Sequence, residues 1–146
     1  MQYHYKFEKI LTLKEREKNQ SQNQYTEAVK VFESEAEKLY RMLKKKEELL
    51  DNQSEKLKAG LSVQEVRHNQ TYLENQEKQI DHLQKRVVDS RNKMQFYHQI
   101  LIEKNIEVKK YEKMKARDFD RFYEATKADE NRQMDEISIQ QFMSRA

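Results

Sequence analysis

Cysteine, proline and tryptophan are absent from the chain, and glycine occurs once in 146 residues. Without cysteine there is no disulfide, no thiolate metal site and no cysteine nucleophile. Without proline, and with a single glycine, the chain lacks the residues that build tight turns. Sandwiches, barrels and alternating α/β sheets are therefore excluded. No apolar run approaches the roughly eighteen residues of a membrane span, and the opening MQYHYKFEKILTLKEREK lacks the order of a signal peptide. A soluble intracellular chain is the expectation. Strong charge of one sign is missing too: 29 basic against 26 acidic residues leave +3, too little to point to nucleic acid or an anionic membrane.

What the chain does have is charge and helix formers. Charged residues make up 38% and hydrophobic residues 36%, with Glu, Lys, Gln, Leu and Arg prominent, so long helices are the structure left to it. The lone Gly60 stands in KLKAGLSVQEV, where it suits the left-handed position just past a helix end. Ser62 and Glu65 have capping-box spacing, and Leu61 and Val66 hold the staple positions around that cap. These residues predict a turn at 60–62 between a first helix of about 5–59 and a second of about 63–140, in a single unit covering 1–146.

Seven-residue spacing runs through both helices. In the first, Val29, Ala36, Leu43, Leu50 and Leu57 form one column, and Tyr25, Phe32, Leu39, Lys46 and Gln53 the other. In the second, Val66, Leu73, Ile80, Val87, Met94, Leu101 and Val108 are accompanied by Asn69, Gln76, Leu83, Ser90, Tyr97, Lys104 and Tyr111. Such spacing predicts an all-α fold, an antiparallel left-handed coiled-coil hairpin of two long helices. The arms would measure roughly 80 Å and 115 Å, so the second overhangs. Doubling back at Gly60 puts the N-terminus beside Lys115 to Arg117, and everything from Asp118 onward is expected to project past the first arm. There the heptad slips to Phe119, Phe122, Tyr123 and Ala125, while Ile137, Ile139, Phe142 and Met143 have nothing to bury against. The first arm also contains Lys14 to Gln24, KEREKNQSQNQ, without any apolar residue. No self-contained seam is expected through it, and either an open solvated stretch or a docking face would result.

The residues of an active site are not apparent. Two paired helices enclose no pocket. His4, His68, His82 and His98 are dispersed, with neither an i, i+4 pair nor H-E-x-x-H, and no G-x-x-x-x-G-K-S/T run exists to cradle phosphates. The reading is of a non-enzyme with no cofactor and no metal. Two charge clusters polarise the open end. KNIEVKKYEKMKAR, Lys104 to Arg117, carries six basic and two acidic residues, and DENRQMDE, Asp129 to Glu136, four acidic and one basic. The basic cluster suits an acidic protein rim better than nucleic acid.

In its opening YKFEKILTLKEREK, the block EKLYRMLKKKEELL, the turn KAGLSVQEVRH, the stretch EKNIEVKKYEKMK and the tail MDEISIQQFM, the chain resembles the FliJ family of flagellar export components, in its Bacillus-type form. That resemblance implies a cytoplasmic accessory protein of the flagellar type III export system, peripheral at the membrane but not inserted into it. Its implied partners are the export ATPase ring, the cytoplasmic domain of the export gate, and export chaperones. The family's hairpin resembles the central stalk of rotary ATPases, with the end carrying both termini in the ring's hole. Carried onto this chain, ring contacts fall at Tyr5, Phe7, Lys9, Leu11, Lys14 and Arg16, beside Lys110, Lys113, Arg117 and Arg121. Gate contacts fall at Leu39, Met42, Tyr72 and Leu73, and Gly60, Ser62 and Glu65 form the turn. Replacing Phe7 and Leu11 by alanine is expected to weaken ring docking with little loss of helicity, because that turn is read as lying away from the seam.

Two other classes compete. A structural adaptor would open at Gly60 and pair with a second copy as a parallel dimer of about twice the length. A holdase-type chaperone would grip many unfolded sequences where ring docking is saturable and specific.

Overall fold

A computed structural model describes residues 2–145. After a short irregular opening, the chain forms two helices, α1 (Glu8–Ala59) and α2 (Val63–Arg145), packed against each other as a hairpin, with no strand among the described residues. Each helix runs on without interruption because no proline breaks the backbone ladder and the charged faces are rich in good helix formers.

Gly60 is the one residue among those described with positive φ, 92°, and it follows the end of α1. Ser62 caps α2 by accepting the Glu65 N–H at 3.2 Å, while the Val66 N–H bonds the Ser62 carbonyl at 3.1 Å. Only this half of the capping box forms among the described residues. A Cβ built on Gly60 meets nothing within 4 Å, so only the left-handed backbone opposes substitution. Gly60→Ala should lower stability by about 1 kcal/mol, and Gly60→Asn by less, in a thermal melt.

Contacts group the helices into two compact units, one combining the residues up to Gln20 with those from Ile102 on, the other Ser21–Leu101. In the second unit Tyr25 stacks near His98 with ring centroids 5.1 Å apart, Glu35 accepts from Arg86 at 2.8 Å, and Lys46 pairs with Glu77 at 3.4 Å. Partner numbers fall as the α1 numbers rise, which is antiparallel pairing. The α2 columns fall inside as expected: Leu73, Ile80, Val87, Met94 and Leu101, with Asn69, Gln76, Leu83, Ser90 and Tyr97, are all buried or half-buried, and only Val66 stays exposed.

The α1 columns need a correction. Tyr25, Phe32, Leu39, Lys46 and Gln53 do lie in the seam, but their companions are Ala28, Glu35, Met42 and Leu49. Val29 and Ala36 are half-buried flanks, and Leu43, Leu50 and Leu57 are exposed, Leu57 at 62%. Companions three residues on and four residues on lie on opposite sides of a shared column, and both satisfy a 3.5-residue period. Glu35 is kept inside by Arg86, a partner that an apolar count does not see.

In the first unit the opening segment carries the packing beyond the start of α1. Tyr3 lies against Phe119 and Phe122, with centroids 5.1 and 5.3 Å away, and its hydroxyl donates towards Asp118 Oδ2 at 3.1 Å and the Lys115 carbonyl at 3.3 Å. The overhang therefore begins later than Asp118. Residues 3–8 stretch along α2 from Phe122 to Lys115, covering more helix per residue than a helical arm would. From Lys127 to Arg145 every residue of α2 is exposed and helical.

Candidate functional site

The core of the first unit is small. Tyr5, Leu11 and Val108 are buried, Val108 down to 2% exposure, and Tyr3, Phe7, Tyr111 and Met114 pack around them. The Tyr5 hydroxyl donates to the Tyr111 carbonyl at 3.1 Å, and the Tyr5 and Phe7 rings meet edge-on at 5.9 Å. Burial pushes both Tyr5 and Tyr3 phenols above the usual tyrosine value, and the Asp118 carboxylate adds to the effect at Tyr3. Leu11 is 4% exposed, which corrects the reading of this turn as lying off the seam. Its side chain is four residues past Phe7, on the face that meets Val108, so truncation there opens the core.

Next along α1, the stretch without apolar residues does carry a seam, made of charge. Lys14 Nζ lies 3.1 Å from Glu107 Oε2, Lys104 Nζ is 3.2 Å from Glu17 Oε2, and Lys14 and Glu17 are 3.7 Å apart within α1. Glu8 pairs with Lys115 at 2.9 Å. At Lys14 and Glu17 the helices are thus bridged by charge, while Gln22, Asn23 and Gln24 stay exposed. The hydrogen bond from Lys104 holds the Glu17 carboxyl below the usual carboxylate value, against the opposing effect of desolvation. The Glu107 carboxylate 3.1 Å away raises Lys14 above the usual lysine value, against desolvation. A lowered acid contributes stability above its unfolded pKa and loses it as pH falls through the folded value, whereas a raised base contributes below its unfolded pKa and loses it as pH rises through the folded one. Neutral pH keeps both contributions. Amide exchange in Glu15–Gln20 should therefore speed up as pH, after correction for intrinsic exchange, is lowered through the carboxylate range, with little change between pH 6 and pH 8.

Outside this packing stands a basic stripe. Lys110, Lys113, Arg117 and Arg121 are exposed, spaced three, four and four residues apart, which places them on one outward face of α2. None of them enters an ion pair among the described residues. Arg117 and Arg121 border an open groove of about 270 Å³ whose floor includes Tyr5, Phe7 and Met114. Lys6 adds a further cation there, 5.7 Å from the centre of the Phe7 ring. On α1, Lys9 and Arg16 are exposed and line a separate shallow groove with Leu13. Of the residues carried over for ring contact, Lys9, Arg16, Lys110, Lys113, Arg117 and Arg121 thus present charge outward. Tyr5 and Leu11 are core, Phe7 is half-buried, and Lys14 is held by Glu107.

Those carried over for the gate lie in the other unit. Leu39, Met42 and Leu73 are half-buried seam residues, while Tyr72 is 52% exposed. Sequence reasoning missed Tyr3 and Asp118, although the alternation Tyr3, Tyr5, Phe7 was a usable sign that this opening lays aromatic rings along one side. Among the described residues there is no group of three or more His, Asp or Glu placed to hold a metal ion, and no helix is long and apolar enough to cross a membrane.

The family profile described as flagellar FliJ protein matches residues 3–146. The chain belongs to the FliJ family. A relative from Bacillus subtilis (strain 168), called flagellar FliJ protein, is 50% identical over 143 residues, covering 98% of this chain and 97% of its own length. No solved structure matches. Membership of this flagellar family extends over the aromatic opening, both helices and the turn, so the open-end surface described above belongs to the matched region.

Proposed function

We propose that this FliJ-family chain is a stalk-like accessory of flagellar type III protein export that inserts its open end into the export ATPase ring and promotes the ring's assembly and turnover, without being an enzyme itself. The observation that carries this reading is the outward stripe Lys110, Lys113, Arg117 and Arg121, mounted on a helix whose inner face is committed to packing. A charged surface on a helix that is packed from behind can contact the subunits of a ring unequally, and bias their assembly by position. Free basic side chains suit an acidic rim and steer encounter through charge. In this reading the protein works in the cytoplasm, peripheral to the membrane at the export apparatus.

The finer partner assignments follow from the same reading. The exposed Tyr72, flanked by half-buried Leu39, Met42 and Leu73, is the part of the carried-over patch available to the cytoplasmic domain of the export gate. Export chaperones are assigned to the overhang, where Met134, Ile137, Ile139, Phe142 and Met143 stand in solvent, Phe142 at 77% exposure. Purified export ATPase, with and without this chain, supplies the test. A rise in hexamer formation and ATP turnover is expected, weakening with added salt. Unchanged assembly and turnover would remove the docking claim.

A further inference from the structure

Lys14, Glu17, Lys104 and Glu107 form three sides of a box of alternating charge, with two pairs across the helices at 3.1 and 3.2 Å and one along α1 at 3.7 Å. Around it α1 offers no apolar support: from Thr12 to Gln20 the only apolar side chain is Leu13, which is 52% exposed. The four side chains keep between 24% and 46% of their surface, which leaves the pair between Lys104 and Glu17 open to dissolved ions, while Glu107 Oε2, facing Lys14, is itself buried without a hydrogen-bond partner. The α1 segment of this unit is thus tied to α2 by the small cluster around Leu11 and Val108 at one end, and by ion pairs everywhere else.

We propose that this box is a salt-sensitive latch: when its charges are screened or competed for, Glu8–Gln20 comes away from α2 while Tyr3 and Tyr5 keep the opening segment docked, baring Leu11 and Val108. This goes beyond the docking reading and does not depend on it. Exposed ion pairs are individually weak and fade with ionic strength, because the screening length shrinks from about 30 Å at 0.01 M to about 3 Å at 1 M. Apolar seams do not weaken in this way, so in Ser21–Leu101, where Ile80, Val87 and Leu83 line the interface, salt has far less to act on. Once detached, the Glu8–Gln20 end of α1 is a polar stretch too short to hold its helix unaided, and its amides exchange. The ionic surroundings then set how often the apolar cluster of the open end is shown.

The experiment is amide hydrogen exchange on the full chain at about 0.01 M and about 1 M sodium chloride. Protection of Glu15–Gln20 should fall roughly tenfold at the higher salt, with that around Ile80 changing much less. The variant E17K, which crowds three lysines together, should give the same loss already at low salt. The fourfold exchange K14E/E17K/K104E/E107K, which reverses every charge and keeps every pair, should restore protection and its salt dependence. Protection of Glu15–Gln20 that ignores both salt and E17K would overturn the latch. So would E17K unfolding both units together, since the latch is local to one.

Discussion

Leu11→Ala is expected to destabilise the first unit by about 2 to 3 kcal/mol, the lower part of the range for truncating a buried leucine, because a two-helix seam lets solvent and neighbours relax into the space. Leu11 is one of three buried residues in that core, so no remaining layer compensates for its loss. Amide protection should collapse over Glu8–Gln20, while Ser21–Leu101 keeps its helical signal and its protection. Phe7→Ala, at a half-buried position, should cost about 1 kcal/mol and leave the segment docked on α2. Weaker ring docking in L11A would then be a consequence of a loosened platform. Unchanged exchange in L11A would mean that the Tyr5, Leu11 and Val108 cluster does not hold this end together.

For Lys113, Arg117 and Arg121 the proposed docking predicts the opposite outcome, binding lost with the fold kept. Reversing all three to glutamate should lower affinity for the export ATPase by on the order of a hundredfold at low salt, through loss of attraction and added repulsion at an acidic rim. The fold should not change, since all three side chains are exposed and make no ion pair among the described residues. The gap between K113E/R117E/R121E and the parent chain should narrow as salt rises, and far-ultraviolet circular dichroism should coincide for the two. Equal binding by both would move the contact to another surface.

The residues themselves revealed most of the fold. A single glycine followed by Ser62 and Glu65 marks the turn, and in α2 both seam columns follow directly from their seven-residue repeats. The α1 seam was harder for a physical reason. Val29, Ala36, Leu43, Leu50 and Leu57 make the more apolar column, yet Ala28, Glu35, Met42 and Leu49 occupy the interface, where Arg86 pairs with Glu35 Oε1 although Glu35 Oε2 stays buried without a hydrogen-bond partner. A hydrophobic period cannot register a charge that is paired across the helices. The same blindness hid the seam through Lys14 and Glu17, whose partners lie some ninety residues away in sequence. At the open end, the basic residues of the candidate surface were visible as a cluster, but which of them face outward depends on the ion pairs that absorb Lys104 and Lys115. The role of Tyr3 was not visible, since its partners Asp118, Phe119 and Phe122 become neighbours only once the chain doubles back.

The account rests on that doubling back within one molecule, and spin labels at the exposed positions His4 and Asp120 measure it most directly. A short distance between the labels is expected, unchanged when labelled chain is diluted with an excess of unlabelled chain. A distance beyond the reach of the method, or a short one that disappears on dilution, would contradict it, the latter showing that the neighbour of Tyr3 belongs to a second copy.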